Sequence, residues 1–170
     1  MGFLDWLGLT SAGTPLKIGD PAPEANARDE QGREVRLSEF YGEGTVLVYF
    51  FPKADTPGCT AQACSLRDDF AALQARGVRI LGVSADHPAA QLRFKEKYRL
   101  PFSVLSDADH TVAKAFRVPL LLGMPHRQAF LIHEGRIVWR DLSASTREQA
   151  RDVLQALEKP PFVRSLGKIP

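Results

Sequence analysis

Two cysteines, Cys59 and Cys64, are the only thiols in the chain, and four residues separate them. The segment leading to the first reads Pro52-Lys53-Ala54-Asp55-Thr56-Pro57-Gly58-Cys59. A thiol attacks an electrophile as the thiolate, so a reactive cysteine needs neighbours that favour the anion. Thr56 is a residue type that caps helices, and Pro57 suits a first helical turn. Cys59 then falls in that turn, where unpaired backbone N–H groups and the positive end of the helix dipole stabilise negative charge. Gly58 removes a side chain beside the sulfur and lets a small oxidant approach. Pro52 is placed to wall the sulfur off from water. A lone cysteine is ordinarily a small buried hydrophobe; its place at a helix start, behind Thr56, Pro57 and Gly58, favours the reactive reading here.

Along an ideal helix, five positions turn through roughly 500° and rise about 7.5 Å, which sets the two cysteine Cα atoms about 8.7 Å apart. A disulfide needs less than about 7 Å. Cys59 and Cys64 therefore cannot bond while the helix is intact, and bonding requires its first turns to unwind. The plain alternative for Cys64 is core packing beside Ala63.

The elements that must position this segment follow from periodicity. Residues 46–51 form a continuous apolar, β-rich run, the mark of a buried strand. From 59 to 76, Ala63, Leu66, Phe70 and Leu73 recur every three or four positions, predicting a helix that stops at Gly77. Residues 78–83 read as a second buried strand. A helix follows, with Pro88 near its start and Ala90, Phe94 and Tyr98 on one side. Strand, helix and parallel strand make a right-handed βαβ unit. Residues 128–133 and 136–141 flank Glu134-Gly135 and predict a hairpin. Ser145-Thr146-Arg147-Glu148 has the form of a capping box for a last helix with apolar positions Ala150, Val153, Leu154 and Leu157. The order βαβ, a helical region, then ββα predicts an α/β protein with a central mixed β-sheet flanked by helices, the arrangement of a thioredoxin-like fold.

The 170 residues suit one domain, expected over residues 16–158, with an N-terminal arm at 1–15 and a Pro-containing C-terminal tail at 159–170. Residues 10–23 read as a linker into that domain. The arm reads as a short amphipathic segment, not a secretory signal. A net charge of +2, with no basic run, argues against nucleic acid as a partner. No stretch has the apolar length of a membrane helix, so no stable membrane association is expected. The four histidines are scattered without metal-ligand spacing, so no metal is expected. Asp107 and Asp109 read as turn and cap residues.

The run Pro52-x-x-x-Thr56-Pro57-Gly58-Cys59-Thr60, followed by Cys64-Ser65-Leu66-Arg67-Asp68, resembles the peroxiredoxins. It is most similar to the peroxiredoxin Q or bacterioferritin comigratory group. The similarity continues through Gly82-Val83-Ser84-Ala85-Asp86, Leu100-Pro101-Phe102, Leu105-Ser106-Asp107 and residues 127–132, and covers roughly residues 16–158. The resemblance implies that Cys59 is the peroxidatic cysteine and Thr56 the hydroxyl that bonds thiolate and peroxide. It makes Pro52 the shielding proline and Arg127 the arginine that stabilises the thiolate and polarises the O–O bond. Gly58, Thr56 and Arg127 would line the peroxide position. Without the resemblance, Arg127 reads as an ordinary strand-edge arginine. Cys64 matches the resolving cysteine of part of this group. The implied cycle oxidises Cys59 to sulfenic acid, condenses it with Cys64 to an intramolecular disulfide, and returns the thiols through thioredoxin or glutaredoxin. No cofactor is implied, the location would be cytoplasmic, and the group is often monomeric. The family usually carries Glu three residues after the peroxidatic cysteine; Gln62 stands there here, keeping an acceptor and losing the charge.

A different class of function fits the same residues: a thiol-based peroxide sensor or holdase-like binding protein that oxidises without turning over. A thioredoxin-type disulfide oxidoreductase fits less well, because that chemistry uses C-x-x-C and this chain has C-x4-C.

Overall fold

The structure, a computed structural model, describes residues 13–42 and 44–159. The six residues of β3 (Thr45–Phe50) are all buried, as their continuous apolar character requires of a central strand. Before β3 lie β1 (Asn26–Arg28), β2 (Glu34–Arg36) and the short helix α1 (Ser38–Tyr41). After it come α2 (Pro57–Asp68), α3 (Phe70–Ala75), β4 (Val78–Ser84), α4 (Pro88–Tyr98), β5 (Ser103–Ser106) and α5 (Thr111–Ala115). A two-stranded ribbon of β6 (Leu120–Leu121) and β7 (Met124–Pro125) precedes β8 (Gln128–His133), β9 (Arg136–Asp141) and α6 (Gln149–Leu157).

The main sheet has the order β2-β1-β5-β4-β3-β8-β9. β3 pairs in parallel with β4, and β4 with β5; β8 runs antiparallel to β3. Alternation along β3 splits the core in two. Leu47 and Tyr49, with Phe51 just beyond the strand, face a cluster that includes Ala63 and Leu66 of α2, Leu73 of α3, Phe94 of α4, and Ala150 and Val153 of α6. Val46, Val48 and Phe50 face the other side, against Tyr41 of α1 and Val112 of α5. The result is the expected mixed sheet with helices on both faces, a thioredoxin-like architecture. Gly82 on β4 is required by close approach, because a Cβ there would lie 2.9 Å from the Tyr49 ring.

Several local expectations change. The helix read as one element from 59 to 76 is two, interrupted at Asp69 (φ −102°, ψ 15°). Aspartate is weakly committed to helix interiors, and the break still leaves Leu66 and Leu73 fully buried. The capping box at 145–148 does not form. The Ala144 N–H is held by the Arg127 carbonyl at 3.1 Å, and the helix begins later, at Gln149. The Ser145 hydroxyl donates to Asp152 instead, at 2.8 Å. β1, β2 and β5 carry three or four residues each, too few to show a period. Glu134 and Gly135 both have positive φ (49° and 72°), as a two-residue hairpin turn demands.

The described part of the expected linker is tied down along β9. The Gly19 N–H donates to the Ile137 carbonyl at 2.7 Å, the Ile137 N–H to the Asp20 carbonyl at 3.0 Å, and Arg140 to the Leu16 carbonyl. Residues 1–12 of the arm and 160–170 of the tail lie outside the described residues.

Candidate active site

The loop between β3 and α2 is fixed from two sides before it reaches the cysteine. The Asp86 carboxylate, just past β4, accepts from the Ala54 N–H at 2.8 Å and from the Ser84 hydroxyl at 2.6 Å. Asp55 sits in the left-handed region (φ 58°), a costly conformation for a non-glycine residue. Its exposed carboxylate is held by α4, with Lys97 Nζ at 2.9 Å and the Tyr98 hydroxyl donating at 2.6 Å. The hydrogen bond from Lys97, and then that from Tyr98, hold the Asp55 carboxyl below its ordinary range.

Thr56 takes the N-cap position of α2 with extended dihedrals (φ −97°, ψ 157°), and Pro57 opens the helix. The expected side-chain cap is absent. The Thr56 hydroxyl donates to the Lys53 carbonyl at 2.7 Å and makes no capping bond to the helix. With its proton committed there, the oxygen is left as an acceptor. The helix ladder starts with the Thr60 N–H on the Thr56 carbonyl at 2.8 Å. The N–H groups of Gly58 and Cys59 therefore stand outside that ladder, beside a buried sulfur.

Arg127, the residue before β8, points its guanidinium at this turn. Nη2 donates to Cys59 Sγ at 3.4 Å, and Nη1 donates to Gln62 Oε1 at 2.7 Å. Gly58 makes room for the approach: a Cβ there would lie 3.0 Å from Arg127 Nη2 and 3.4 Å from Thr146 Cγ2. The space expected to admit an oxidant is thus shared with the guanidinium. Gln62, fully buried, passes the contact on, its Nε2 donating to Gln149 Oε1 at 2.7 Å. Ser65, one turn further along α2, accepts the Ala150 N–H at 3.1 Å and docks the start of α6 on the same face.

Cys64 is half-buried and, like Cys59, a free thiol on an unbroken α2. Pro52 is half-buried in the loop. Beneath the site, burial pushes the Tyr49 phenol far above its ordinary range, with a smaller push from Cys59. Among the described residues, no group of three or more His, Cys, Asp and Glu side chains could hold a metal ion. Asp107 and Asp109 do cap, accepting backbone N–H groups at the start of α5.

The structure thus brings together Cys59, Gly58, Gln62 and Arg127, with Thr56 at the N-cap position of the same helix and Cys64 within it. Sequence reasoning missed Gln149, Asp86 and Asp55. Gln149 had a signal, since it lies four positions before Val153 and so falls on the apolar stripe of α6. A glutamine on such a stripe needs a buried partner. Chemically, a buried cysteine sulfur at an open helix start, with a guanidinium 3.4 Å away, has the surroundings that a nucleophilic thiol needs.

Fold and site together define a thioredoxin-like protein with a candidate reactive cysteine at the first turn of the helix after a central strand. The family model that matches is that of the AhpC/TSA family, over residues 18–140, and the chain belongs to that family. Peroxiredoxin Bcp of Escherichia coli is 52% identical over 104 residues, which are 61% of this chain and 66% of that protein, a little under two thirds of it. The structure of peroxidoxin BcpB from Mycobacterium tuberculosis superposes with a TM-score of 0.78 at 34% identity, covering 84% of this chain and 97% of that one. The bacterioferritin comigratory protein of Xanthomonas campestris gives a TM-score of 0.72 at 28% identity, covering 79% and 90%.

Proposed function

We propose that this protein is a thiol-dependent peroxidase that reduces hydrogen peroxide and organic hydroperoxides. The observation that carries the reading is the Arg127 guanidinium, 3.4 Å from Cys59 Sγ at the uncapped start of α2. The Cys59 thiolate attacks the distal oxygen of a peroxide ROOH. The S–O bond forms as the O–O bond breaks, and the alkoxide or hydroxide leaves and takes up a proton. Arg127 donates to the developing negative charge. The Thr56 oxygen accepts a hydrogen bond from the peroxide O–H, whose proton stays on the oxygen transferred to sulfur, and the leaving group takes its proton from water. Arg127, Thr56 and the space beside Gly58 form the peroxide subsite, and Pro52 shields it.

Cys59 is then a sulfenic acid. The Cys64 thiol displaces its hydroxyl as water and forms the Cys59–Cys64 disulfide, after the first turns of α2 have unwound. A dithiol protein, thioredoxin or glutaredoxin, reduces that disulfide by two exchanges and regenerates both thiols. The work reported on the Xanthomonas relative concerns its alkyl peroxide reduction activity, which supports organic hydroperoxides as substrates. Among the described residues, no helix is long and apolar enough to cross a membrane. Two free thiols on one helix suit a reducing compartment, and we place the protein in the cytoplasm, acting as a monomer.

The test is steady-state peroxide consumption coupled to thioredoxin, thioredoxin reductase and NADPH, for the wild type and both cysteine variants. Catalytic turnover that depends on Cys59 is expected, and mass spectrometry of the oxidised wild type should find a Cys59–Cys64 bond. Oxidation of one equivalent without turnover would instead favour a peroxide sensor.

A further inference from the structure

We infer that Gln149 is a positioning residue of this site: through Gln62 it fixes the guanidinium of Arg127 against Cys59. The inference rests on the peroxidase reading above, in which that guanidinium acts on the reacting sulfur.

The direction of the chain follows from donor and acceptor types. A guanidinium only donates, so Gln62 must turn its oxygen toward Arg127 Nη1. That turns Gln62 Nε2 toward α6, where it needs an acceptor. Gln149 supplies Oε1 at 2.7 Å. Its own Nε2 is then left buried, without a hydrogen-bond partner among the described residues. Were Gln149 reversed, two amide donors would face each other. The arrangement thus accepts an unsatisfied donor at the far end in order to present an oxygen at the near one.

An apolar residue at position 149 would match the rest of the stripe and leave Gln62 Nε2 as the unsatisfied buried donor in place of Gln149 Nε2, so the number of unsatisfied donors does not explain the glutamine. Orientation does. A carboxylate at position 62 would meet Arg127 with either oxygen. The amide of Gln62 has one oxygen and one donor end, and it faces Arg127 correctly only if that donor end is held. The seat of Gln149 is itself fixed, because the neighbouring Ala150 N–H is docked on Ser65. A fixed Gln62 then pins one arm of the guanidinium and leaves Nη2 at 3.4 Å from the sulfur.

The test compares Gln149→Leu, Gln149→Glu and Arg127→Met for the rate of Cys59 oxidation by hydrogen peroxide as a function of pH, with urea-unfolding midpoints measured alongside. Gln149→Leu is expected to slow oxidation about tenfold, less than the 10²–10³ expected for loss of a donor outright. Its pH profile should move to higher pH while the unfolding midpoint does not fall. Gln149→Glu keeps an acceptor for Gln62 and should stay within about twofold of the wild type. Wild-type rates and pH profile in Gln149→Leu, beside a slow Arg127→Met variant, would overturn the role of Gln149 and leave the peroxidase reading standing. So would a slow Gln149→Leu variant with a lowered midpoint and an unmoved pH profile. Wild-type rates in Arg127→Met would overturn both at the arginine.

Discussion

Three helices begin just beyond the carboxyl ends of the parallel strands, α2 after β3, α4 after β4 and α5 after β5, and the first turns of α2 and α5 are finished in opposite ways. At α5, the buried Asp107 carboxylate accepts the Val112 N–H at 2.9 Å and the Ala113 N–H at 2.8 Å, while Asp109 accepts the Thr111 N–H at 3.1 Å. At α2, the one side chain placed to cap, Thr56, gives its hydroxyl proton to the Lys53 carbonyl instead. A helix start left open presents N–H donors to an anion and is cheaper to unwind; a closed one does neither. The α5 start is built for stability. The α2 start gives up that stability to hold a sulfur.

If the contrast is right, the largest effects on chemistry lie at α2. Cys59→Ser should reduce peroxide turnover to background, on the order of 10³-fold or more, with an unchanged unfolding midpoint. Residual turnover near wild type would move the chemistry off this helix. Arg127→Met should lower kcat/KM for peroxide by about 10²–10³, read in the same coupled assay, because the sulfur then loses its guanidinium donor.

The largest effect on stability lies at α5. Asp107→Ala leaves two buried N–H groups without acceptors and should cost about 4 kcal/mol by urea unfolding. Peroxide kcat/KM at temperatures where the variant is folded should not change. Titration of the same carboxyl gives a smaller effect. Burial pushes Asp107 up to about 6 from its ordinary 3.8, against the two backbone N–H bonds that pull it down. The folded state therefore holds this proton more tightly than the unfolded chain does. The contribution is fully present below about pH 3.8 and is lost as pH rises through about 6, a swing of no more than about 3 kcal/mol. Asp107→Asn cannot titrate, so the wild-type-minus-variant stability should fall with rising pH across that window. A flat difference would mean that the backbone bonds outweigh burial.

Much of this contrast was legible in the sequence, and the reason differs by residue. Cys59 was visible because Thr56, Pro57 and Gly58 have local meanings at a helix start. The βαβ core was visible because long buried strands read as continuous apolar runs and helical stripes have a period. What Thr56 does with its hydroxyl was not visible, since its choice of the Lys53 carbonyl over the helix depends on a loop that α4 holds through Asp55 and that Asp86, just past β4, holds through Ala54. Gln149 was hidden for a related reason. It lies 87 positions from Gln62 in the chain, and only the docking of α6 on α2 brings the two amides together. Arg127 read as an ordinary strand-edge arginine until its resemblance, and then its geometry, placed it beside the sulfur.

The smallest expected effect is also the sharpest discriminator between the two helix starts. Valine replaces threonine with nearly the same shape, and the extended dihedrals of position 56 suit a β-branched residue. If the Thr56 hydroxyl capped α2, removing it would cost about 1–2 kcal/mol. Because it bonds an exposed carbonyl that water can serve equally well, Thr56→Val should cost about 0.5 kcal/mol or less. Urea unfolding of this variant beside Asp107→Ala measures the two starts on one scale. A loss above about 1.5 kcal/mol for Thr56→Val would show that α2 is capped in solution. The N–H groups of Gly58 and Cys59 would then not be free to receive the thiolate.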